Sequence, residues 1–420
     1  MIFKNKSLNN IAFVFLITFI FSIGKLDAYP DMNGDDAQKT SSESSKKSED
    51  KKTDPKNLKE CKMQAKSKKD TKECEKKFMK TIEEFIKEEG LTSIDGFMKI
   101  FTNEDNSEYF LKLDSEDLNS QFLYFSYIMN APQGSPLTGG LPSDGRVLEF
   151  RSFKKDSIGL YQINTNYING DKTNNISKST ITNITEAFVE VFKPSAKTNE
   201  SVLINVNSVL MSEKLDSLSY VPSQYRERIA VNYGKPNKSK TFVKNVFNND
   251  TNTAFEVTFA YENQAPNQRA FRVSAVTDPR YLSVTARHIF IKMPDDRFEP
   301  RVNDHRIGYF VNRSTDLTSY ENFANFALIN KWRLIKKNPD AEMSEPEEPI
   351  VFWVENSTPE EIIPAVIAGI ENWNIAFEEA GFINAIVAKI QPEDADWDAA
   401  DYDYNVVRWS SDPDGGLLGI

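Results

Sequence analysis

Two histidines and two cysteines are the residues of this 420-residue sequence best suited to metal binding or nucleophilic chemistry. His288 and His305 are seventeen residues apart, too few and too far separated for a histidine-rich metal site within the chain. By two-residue alternation, His288 shares one side of an extended segment with four apolar residues: Leu282, Val284, Ala286 and Phe290. Such a histidine is more often a hydrogen-bonded core residue than a ligand. We interpret His305, in the polar loop 303–306, in the same way, so no catalytic or metal-binding residue is predicted.

The N-terminus has the layout of a secretory signal peptide. Lys4 and Lys6 precede an apolar run at 11–23, and Ala28 follows at a plausible cleavage position. The run is shorter than the roughly 20 residues that a membrane-spanning helix needs. We therefore expect residues 1–28 to direct export to the periplasm or the medium, with no membrane contact after cleavage. The alternative is an uncleaved anchor.

Cys61 and Cys74 lie close together in a lysine-rich segment. In an exported protein, two thiols this near favour a disulfide, which would contribute about 3 kcal/mol by constraining the unfolded chain. The alternative is a pair of free thiols on one helix.

The charge of the chain is unevenly distributed. Residues 29–80 hold 15 Lys and 11 acidic residues, a net of +4, and residues 1–28 add +2. Since the whole chain carries −11, residues 81–420 carry −17. A region this acidic argues against binding to nucleic acid. Residues 29–56 are interpreted as a charged linker.

A helical segment is predicted over residues 57–95. Phe78, Ile82, Phe85 and Ile86 recur at spacings of three and four, which places them on one face, and Gly90 is expected to end the helix.

The next region, residues 96–300, has the pattern of an antiparallel β-rich domain, with short aromatic or β-branched runs between polar turns. Strands are expected at 97–101, 108–113, 122–128, 146–151, 158–163, 202–209, 254–261, 270–276 and 282–293. One helix is expected near 184–192.

The order strand, helix, strand, strand is predicted at 349–354, 358–381, 383–390 and 404–409. Thr358 is expected to cap the helix in a capping box with Glu361, and Gly381 to end it. Pro364 should bend the first turn. The segment 328–334 could pair with the first strand. This order indicates half of an α/β domain. Because it follows an antiparallel β-rich domain, the predicted fold class of the whole chain is α+β.

Eight short motifs occur in order in this last part of the chain: Phe298-Glu-Pro-Arg301, Arg306-Ile-Gly-Tyr-Phe310, Lys331-Trp-Arg-Leu-Ile-Lys-Lys337, Ser344-Glu-Pro346, Pro349-Ile-Val-Phe-Trp-Val354, Gly369-Ile-Glu-Asn-Trp-Asn374, Ala376-Phe-Glu-Glu-Ala-Gly-Phe382 and Val406-Val-Arg-Trp409. In these motifs the chain resembles the bacterial zinc-dependent metalloproteases of the metzincin type that carry a long β-rich N-terminal region. The resemblance covers about 285–420. From about 100 to 285 it rests on the run of strands alone.

The resemblance implies that residues 301–420 are the pre-zinc portion of a zincin-like catalytic domain, after a β-rich accessory domain at 96–300. In such enzymes a helix bearing His-Glu-x-x-His follows these strands, binds zinc and cleaves a protein or peptide substrate. The motif does not occur in residues 1–420. Hence no catalytic, metal-binding or substrate-binding residue is carried over, and zinc is expected in the full-length family rather than in this chain.

The residues also suggest that the domain continues. One helix leaves the other face of its sheet without cover, and Leu417, Leu418 and Ile420 have no evident burial site. A true C-terminus at Ile420 is the alternative.

Three functions are compatible with the sequence. The first is the N-terminal portion of an exported zinc-dependent metalloendopeptidase, inactive as given, and the second is a secreted non-catalytic binding or inhibitory module derived from one. A carbohydrate-binding β domain rests only on the aromatic strands. The strand at 404–409 could accept a peptide as an added strand, or be an interior strand with Trp409 in the core. The oligomeric state is not assigned.

Overall fold

A computed structural model describes residues 79–409, apart from 155, 169–177, 180–182, 295–297 and 319–324, together with 63–65, 67 and 70. The predicted signal peptide and linker, both cysteines and the segment 410–420 lie outside the described residues. The proposed disulfide between Cys61 and Cys74 therefore stays a prediction.

The described elements alternate mainly between short strands and turns. The helices are α1 (Ile82–Glu89), α2 (Asn207–Leu210), α3 (Ile363–Glu371) and α4 (Asn374–Glu379), with 3₁₀ turns at Ser223–Tyr225 and Gln268–Arg272. The strands are β1 (Thr92–Ile94), β2 (Lys99–Thr102), β3 (Tyr109–Asp114), β4 (Gln121–Asn130), β5 (Arg146–Phe153), β6 (Ser157–Gln162), β7 (Tyr167–Ile168), β8 (Ala187–Phe192), β9 (Pro194–Lys197), β10 (Ser201–Asn205), β11 (Lys235–Pro236), β12 (Phe242–Asn248), β13 (Asn252–Glu262), β14 (Tyr281–Lys292), β15 (Val311–Asp316), β16 (Asn325–Ile329), β17 (Ile350–Val354), β18 (Ile386–Ile390) and β19 (Asn405–Val407).

Two antiparallel sheets form a β-sandwich. The five-stranded sheet has the order β1-β2-β3-β10-β9, and the eight-stranded sheet has the order β11-β13-β14-β4-β5-β6-β8, with β12 also paired to β13. Both sheets contribute to one core, in which the ring of Tyr109 meets that of Phe255 edge-on at 5.7 Å. The prediction of an antiparallel β-rich region is confirmed.

Helix α1 covers the outer face of the five-stranded sheet. Thr81 caps it in a capping box with Glu84, and Gly90 ends it in the left-handed conformation, at φ 63°. Ile82 is buried against Phe110, because β3 alternates its side chains between the sandwich core and this helix. The predicted helix end at Gly90 is confirmed.

Two smaller sheets follow. The mixed sheet has the order β16-β15-β7, and the parallel sheet has the order β18-β17-β19. In the parallel sheet, β17 is flanked on both sides by parallel strands, in register from Phe352 to Val354. Helices α3 and α4 connect β17 to β18, since parallel neighbours need a crossover connection.

Three predicted elements are wrong, and a fourth, the strand at 202–209, is wrong in its second half, where α2 begins at Asn207. The segment 184–192 contains strand β8 rather than a helix, and 270–276 contains a 3₁₀ turn rather than a strand. The segment 328–334 does not pair with β17, because Ile329 ends β16, which pairs with β15. At 184–192 and 328–334, strand pairing overrode an ambiguous local pattern, whereas 270–276 has no strand partner among the described residues.

The predicted helix at 358–381 begins later and is interrupted. Thr358 is buried in a turn, and Ile362 precedes the helix without a side-chain cap, so the capping box with Glu361 does not form. Pro364 explains the late start, because a proline lacks the N–H of a helix interior and is tolerated in the first turn. A break at Asn372 and Trp373 separates α3 from α4, and Gly381 ends the second helix at φ 85°.

None of the helices in the described ranges is long and apolar enough to cross a membrane.

Candidate functional site

His288 lies in the core of the sandwich and is 0% exposed, as predicted. Sequence reasoning missed its partners. The hydroxyl of Tyr124 on β4 donates to the carboxylate of Asp216 and lies 2.8 Å from Nδ1 of His288. Because the single hydroxyl proton goes to Asp216, Nδ1 carries the imidazole proton and donates to the Tyr124 oxygen.

Tyr124 and His288 are inaccessible to solvent, and Arg146 at the edge of this network is partly exposed. Arg146 holds Asp216 by an ion pair, and Nε2 of His288 has no hydrogen-bond partner among the described residues. Burial lowers the pKa of His288 to about 4, against the opposing effect of Asp216, so the ring is neutral at neutral pH. Burial and the charge of Asp216 raise the pKa of Tyr124 well above its usual range. Tyr124 and His288 therefore bond to each other inside the core.

The other histidine is exposed. His305 lies in a turn closed by a bond from the Ile307 amide to the Asp304 carbonyl, so its interpretation as a core residue is wrong. Polar neighbours on both sides left it no apolar surface to join.

The resemblance places the zinc ligands of the family outside this chain, and the part of the chain that the structure describes contains no group of side chains that fits a zinc site. Zinc sites use three or four converging nitrogen, sulfur or carboxylate ligands. In the described part of the chain, no three His, Cys, Asp or Glu side chains form a group that could hold a metal ion. His288 is committed to Tyr124 in a closed core, and His305 lies in an exposed turn.

A surface cleft of about 740 Å³ lies beside the 3₁₀ turn at Ser223–Tyr225. Its carboxylate, Glu213, accepts bonds from the amide and hydroxyl of Ser219 and from the hydroxyl of Tyr261 at 2.6 Å. Burial, and then the contact with Glu213, raises the pKa of Tyr261. The carboxylate of this cleft is therefore engaged within the protein.

In the described part of the chain, the parallel sheet has two edge strands, β18 and β19, one on each side of β17. Among the described residues β19 pairs with β17 alone, which makes it an edge strand. The Glu355 amide donates to the carbonyl of Val407, so Asn405 and Val407 direct their peptide groups at β17 and Val406 directs its own outward. Trp409 is partly exposed rather than in a core.

The loop 391–404 leads into this edge and contacts the parallel sheet through aromatic rings. Trp397 stacks on Tyr404 with centroids 3.9 Å apart and planes 8° from parallel. Both rings meet Trp353 of β17 edge-on, at 5.3 and 6.2 Å. Residues 397 and 404, at the two ends of the second half of the loop, are therefore both packed on β17.

The same loop is bonded to the eight-stranded sheet. Arg287 of β14 donates to both carboxylate oxygens of Asp398, at 2.8 and 2.6 Å, and to Glu256 at 3.0 Å. Its guanidinium also lies over the ring of Phe247 at 4.3 Å. Burial alone would raise the pKa of Asp398, but the bonds from Arg287 outweigh it and the pKa is lowered. Asp398 is therefore held ionised.

Asp403 makes a second set of bonds to the sandwich. Its carboxylate accepts from Asn249 at 2.8 Å, from Thr251 at 2.9 Å and from Asn252 at 3.2 Å. The neighbouring ring of Tyr402 lies 6.1 Å from that of Phe125. The loop is thus bonded to the sandwich at both Asp398 and Asp403. Sequence reasoning missed these residues, since an acidic loop and a strand arginine carry no spacing signal.

Residues 140–337 match the model of a family described as a domain of unknown function (DUF5117). The matched segment contains Arg287 and His288 and ends before the parallel sheet. No curated protein and no solved structure matches the chain.

Proposed function

We propose that this chain is the N-terminal portion of an exported zinc-dependent metalloendopeptidase, with residues 301–420 forming the pre-zinc part of a zincin-like α/β domain. The observation that supports it is the parallel sheet β18-β17-β19 with helices α3 and α4 between its first two strands. This is the strand, helix, strand, strand order predicted from the sequence for half of an α/β domain. The motifs at 349–354, 369–374, 376–382 and 406–409 fall on these elements.

The role we assign to this chain is substrate binding at β19. A strand paired on one side offers unpaired amide and carbonyl groups to an extended peptide, which adds as a further strand. Val406 presents its peptide group on that side. The partner is therefore an extended segment of a protein or peptide.

We assign peptide-bond cleavage to the full-length proteases of the metzincin type, and not to the residues described here. Zinc in that family activates a water molecule for attack on the peptide bond. No residue of this chain is given a role in that step, because its two histidines do not fit a zinc site.

Peptide binding and the identity of the edge are tested together. Purified residues 29–420 are screened against a synthetic peptide library, and the affinity of the best peptide is measured for Val406→Pro and Val406→Ala. Proline removes the outward N–H, whereas alanine keeps it. We expect binding to be lost in Val406→Pro and retained in Val406→Ala. Equal affinity of the two variants would exclude β19 as the binding edge.

The protease assignment is tested by metal analysis and by the coding sequence. We expect less than one equivalent of zinc in purified residues 29–420 and no hydrolysis of casein. An in-frame His-Glu-x-x-His within about a hundred residues downstream of codon 420 would support the protease. A full equivalent of zinc in an active site of this chain would contradict the proposal.

The second candidate is a secreted non-catalytic binding or inhibitory module derived from such a protease. It is supported by the same edge strand β19, where main-chain pairing with a peptide would need no metal. A stop codon directly after codon 420, combined with peptide binding and a stable monomer, would decide for this module.

A further inference from the structure

The loop 391–404, which precedes β19, contacts both the parallel sheet and the eight-stranded sheet of the sandwich. From its stacked aromatic pair it contacts β17, and from Asp398 and Asp403 it contacts the eight-stranded sheet. We infer that Arg287, on the interior strand β14, is a positioning residue for the peptide-binding edge β19. The β-rich region would then be a structural part of the site. This inference rests on the proposed peptide binding at β19.

Of the two bonded residues Arg287 and Asp398, Arg287 is the one held in place by the surrounding sheet. Arg287 is 2% exposed, and β14 pairs along its length with β13 and along most of it with β4. The side chain of Asp398 is 46% exposed on a loop. A two-bond contact between a planar guanidinium and a carboxylate fixes orientation as well as distance. Strand β14 therefore fixes the position of the loop 391–404.

The anchors sit close to the edge in sequence. Asp398 precedes the first residue of β19 by seven positions and Asp403 by two. The aromatic pair at 397 and 404 brackets this stretch. Because a loop held at both ends has few conformations left, β19 is ordered before a peptide arrives, which lowers the entropic cost of binding.

The negative charge of the loop 391–404 explains why its contact with the sandwich needs a positively charged side chain. Residues 391–404 contain six acidic residues and no basic one. Burial raises the pKa of Asp401, a sign that charge is unfavourable there. On the sandwich side Glu256 is also buried, beside Arg287. The positive charge of Arg287 offsets the negative charges of Asp398 on the loop and Glu256 on the sandwich where the loop meets the sheet.

The test removes the bond from the exposed side, so that the sandwich core stays intact. Asp398→Asn loses the ionic contact with Arg287, and Asp396→Asn in the same loop makes the same change of charge on a side chain with no bond to Arg287. Amide hydrogen exchange is followed in peptides covering 397–409 and in peptides covering β13 and β14. Affinity for the peptide found in the library screen is measured alongside.

We expect exchange in 397–409 to accelerate at least about tenfold in Asp398→Asn, with β13 and β14 unchanged and peptide affinity weakened about tenfold. Asp396→Asn should behave as the wild type in both measurements. Unchanged exchange in 397–409 for Asp398→Asn would overturn the inference, and so would accelerated exchange with full peptide affinity.

Failure of the proposed function has a different signature. If no peptide binds the wild-type protein at all, peptide binding at β19 is wrong, and with it the positioning role that rests on it. The exchange result then reports only that Arg287 orders the loop. If peptides bind and Asp398→Asn changes nothing, the proposed function stands and the positioning role fails.

Discussion

The hydroxyl of Tyr124 lies 2.8 Å from Nδ1 of His288 between two neighbouring strands of the sandwich core. The two rings are stacked, with centroids 6.0 Å apart, and neither side chain is accessible. Polar groups in such a place are costly unless bonded, so the pair favours the one register of β4 against β14 that brings them together.

The first prediction concerns pH. The unfolded chain takes up a proton on His288 near its ordinary pKa of 6.5, whereas burial lowers the folded pKa to about 4. Between these values the unfolded state binds more protons, so stability falls as pH falls. The shift corresponds to a loss of about 3 kcal/mol from pH 6.5 to pH 4.

Guanidinium unfolding at several pH values measures this loss. His288→Asn should flatten the dependence in that window even if it lowers stability at pH 7. His305→Gln replaces the only other histidine, and the difference in slope between the variants isolates the buried ring. A His288→Asn slope equal to that of the wild type would contradict the prediction.

The second prediction concerns Tyr124→Phe. The change leaves the Nδ1–H of His288 without an acceptor and removes a donor from Asp216. Leaving buried polar groups unpaired should lower the free energy of unfolding by roughly 1–3 kcal/mol. Tyr281→Phe, at an exposed tyrosine, is the control and should change it little. Equal stabilities of the two variants in denaturant titrations would refute a role for the network.

The third prediction concerns the cap of α1. Thr81 accepts a bond from the amide of Glu84, and Glu84 returns one to the Thr81 amide. Thr81→Ala should cost about 1 kcal/mol, while Thr81→Ser keeps the side-chain acceptor and should retain most of the stability. Thermal unfolding of the three proteins measures the difference. A destabilisation by serine as large as that by alanine would show that the hydroxyl is not what matters.

The parts of the fold predictable from sequence are those with a local cause. Strands β4 and β14 were expected because apolar and β-branched residues alternate along them, and Gly90 as a helix end because its conformation suits glycine. The sequence pattern places the start of helix α3 too early, because Thr358 and Glu361 fit a cap locally whereas Pro364 belongs in the first turn of the helix.

The candidate site was less predictable, because its contacts join residues far apart in the chain. Asp398 meets Arg287 across 111 positions, and Tyr124 meets His288 across 164. No spacing rule relates such pairs, since they depend on which strands become neighbours. The edge position of β19 also follows from sheet order, which a single strand pattern does not contain.

The last prediction compares two glycines for which the same substitution should have opposite effects. At Gly234 a Cβ would lie 2.0 Å from the carbonyl oxygen of Glu262, where β11 pairs with β13. Backbone cannot move aside as a side chain can, so Gly234→Ala should lower the free energy of unfolding by roughly 1–3 kcal/mol. At Gly369, inside α3, a Cβ would meet nothing within 4 Å. There alanine reduces the freedom of the unfolded chain and favours the helix, so Gly369→Ala should raise stability by about 0.5–1 kcal/mol. Denaturant titrations of both variants give the signs, and a neutral Gly234→Ala would mean that β11 does not approach β13 this closely.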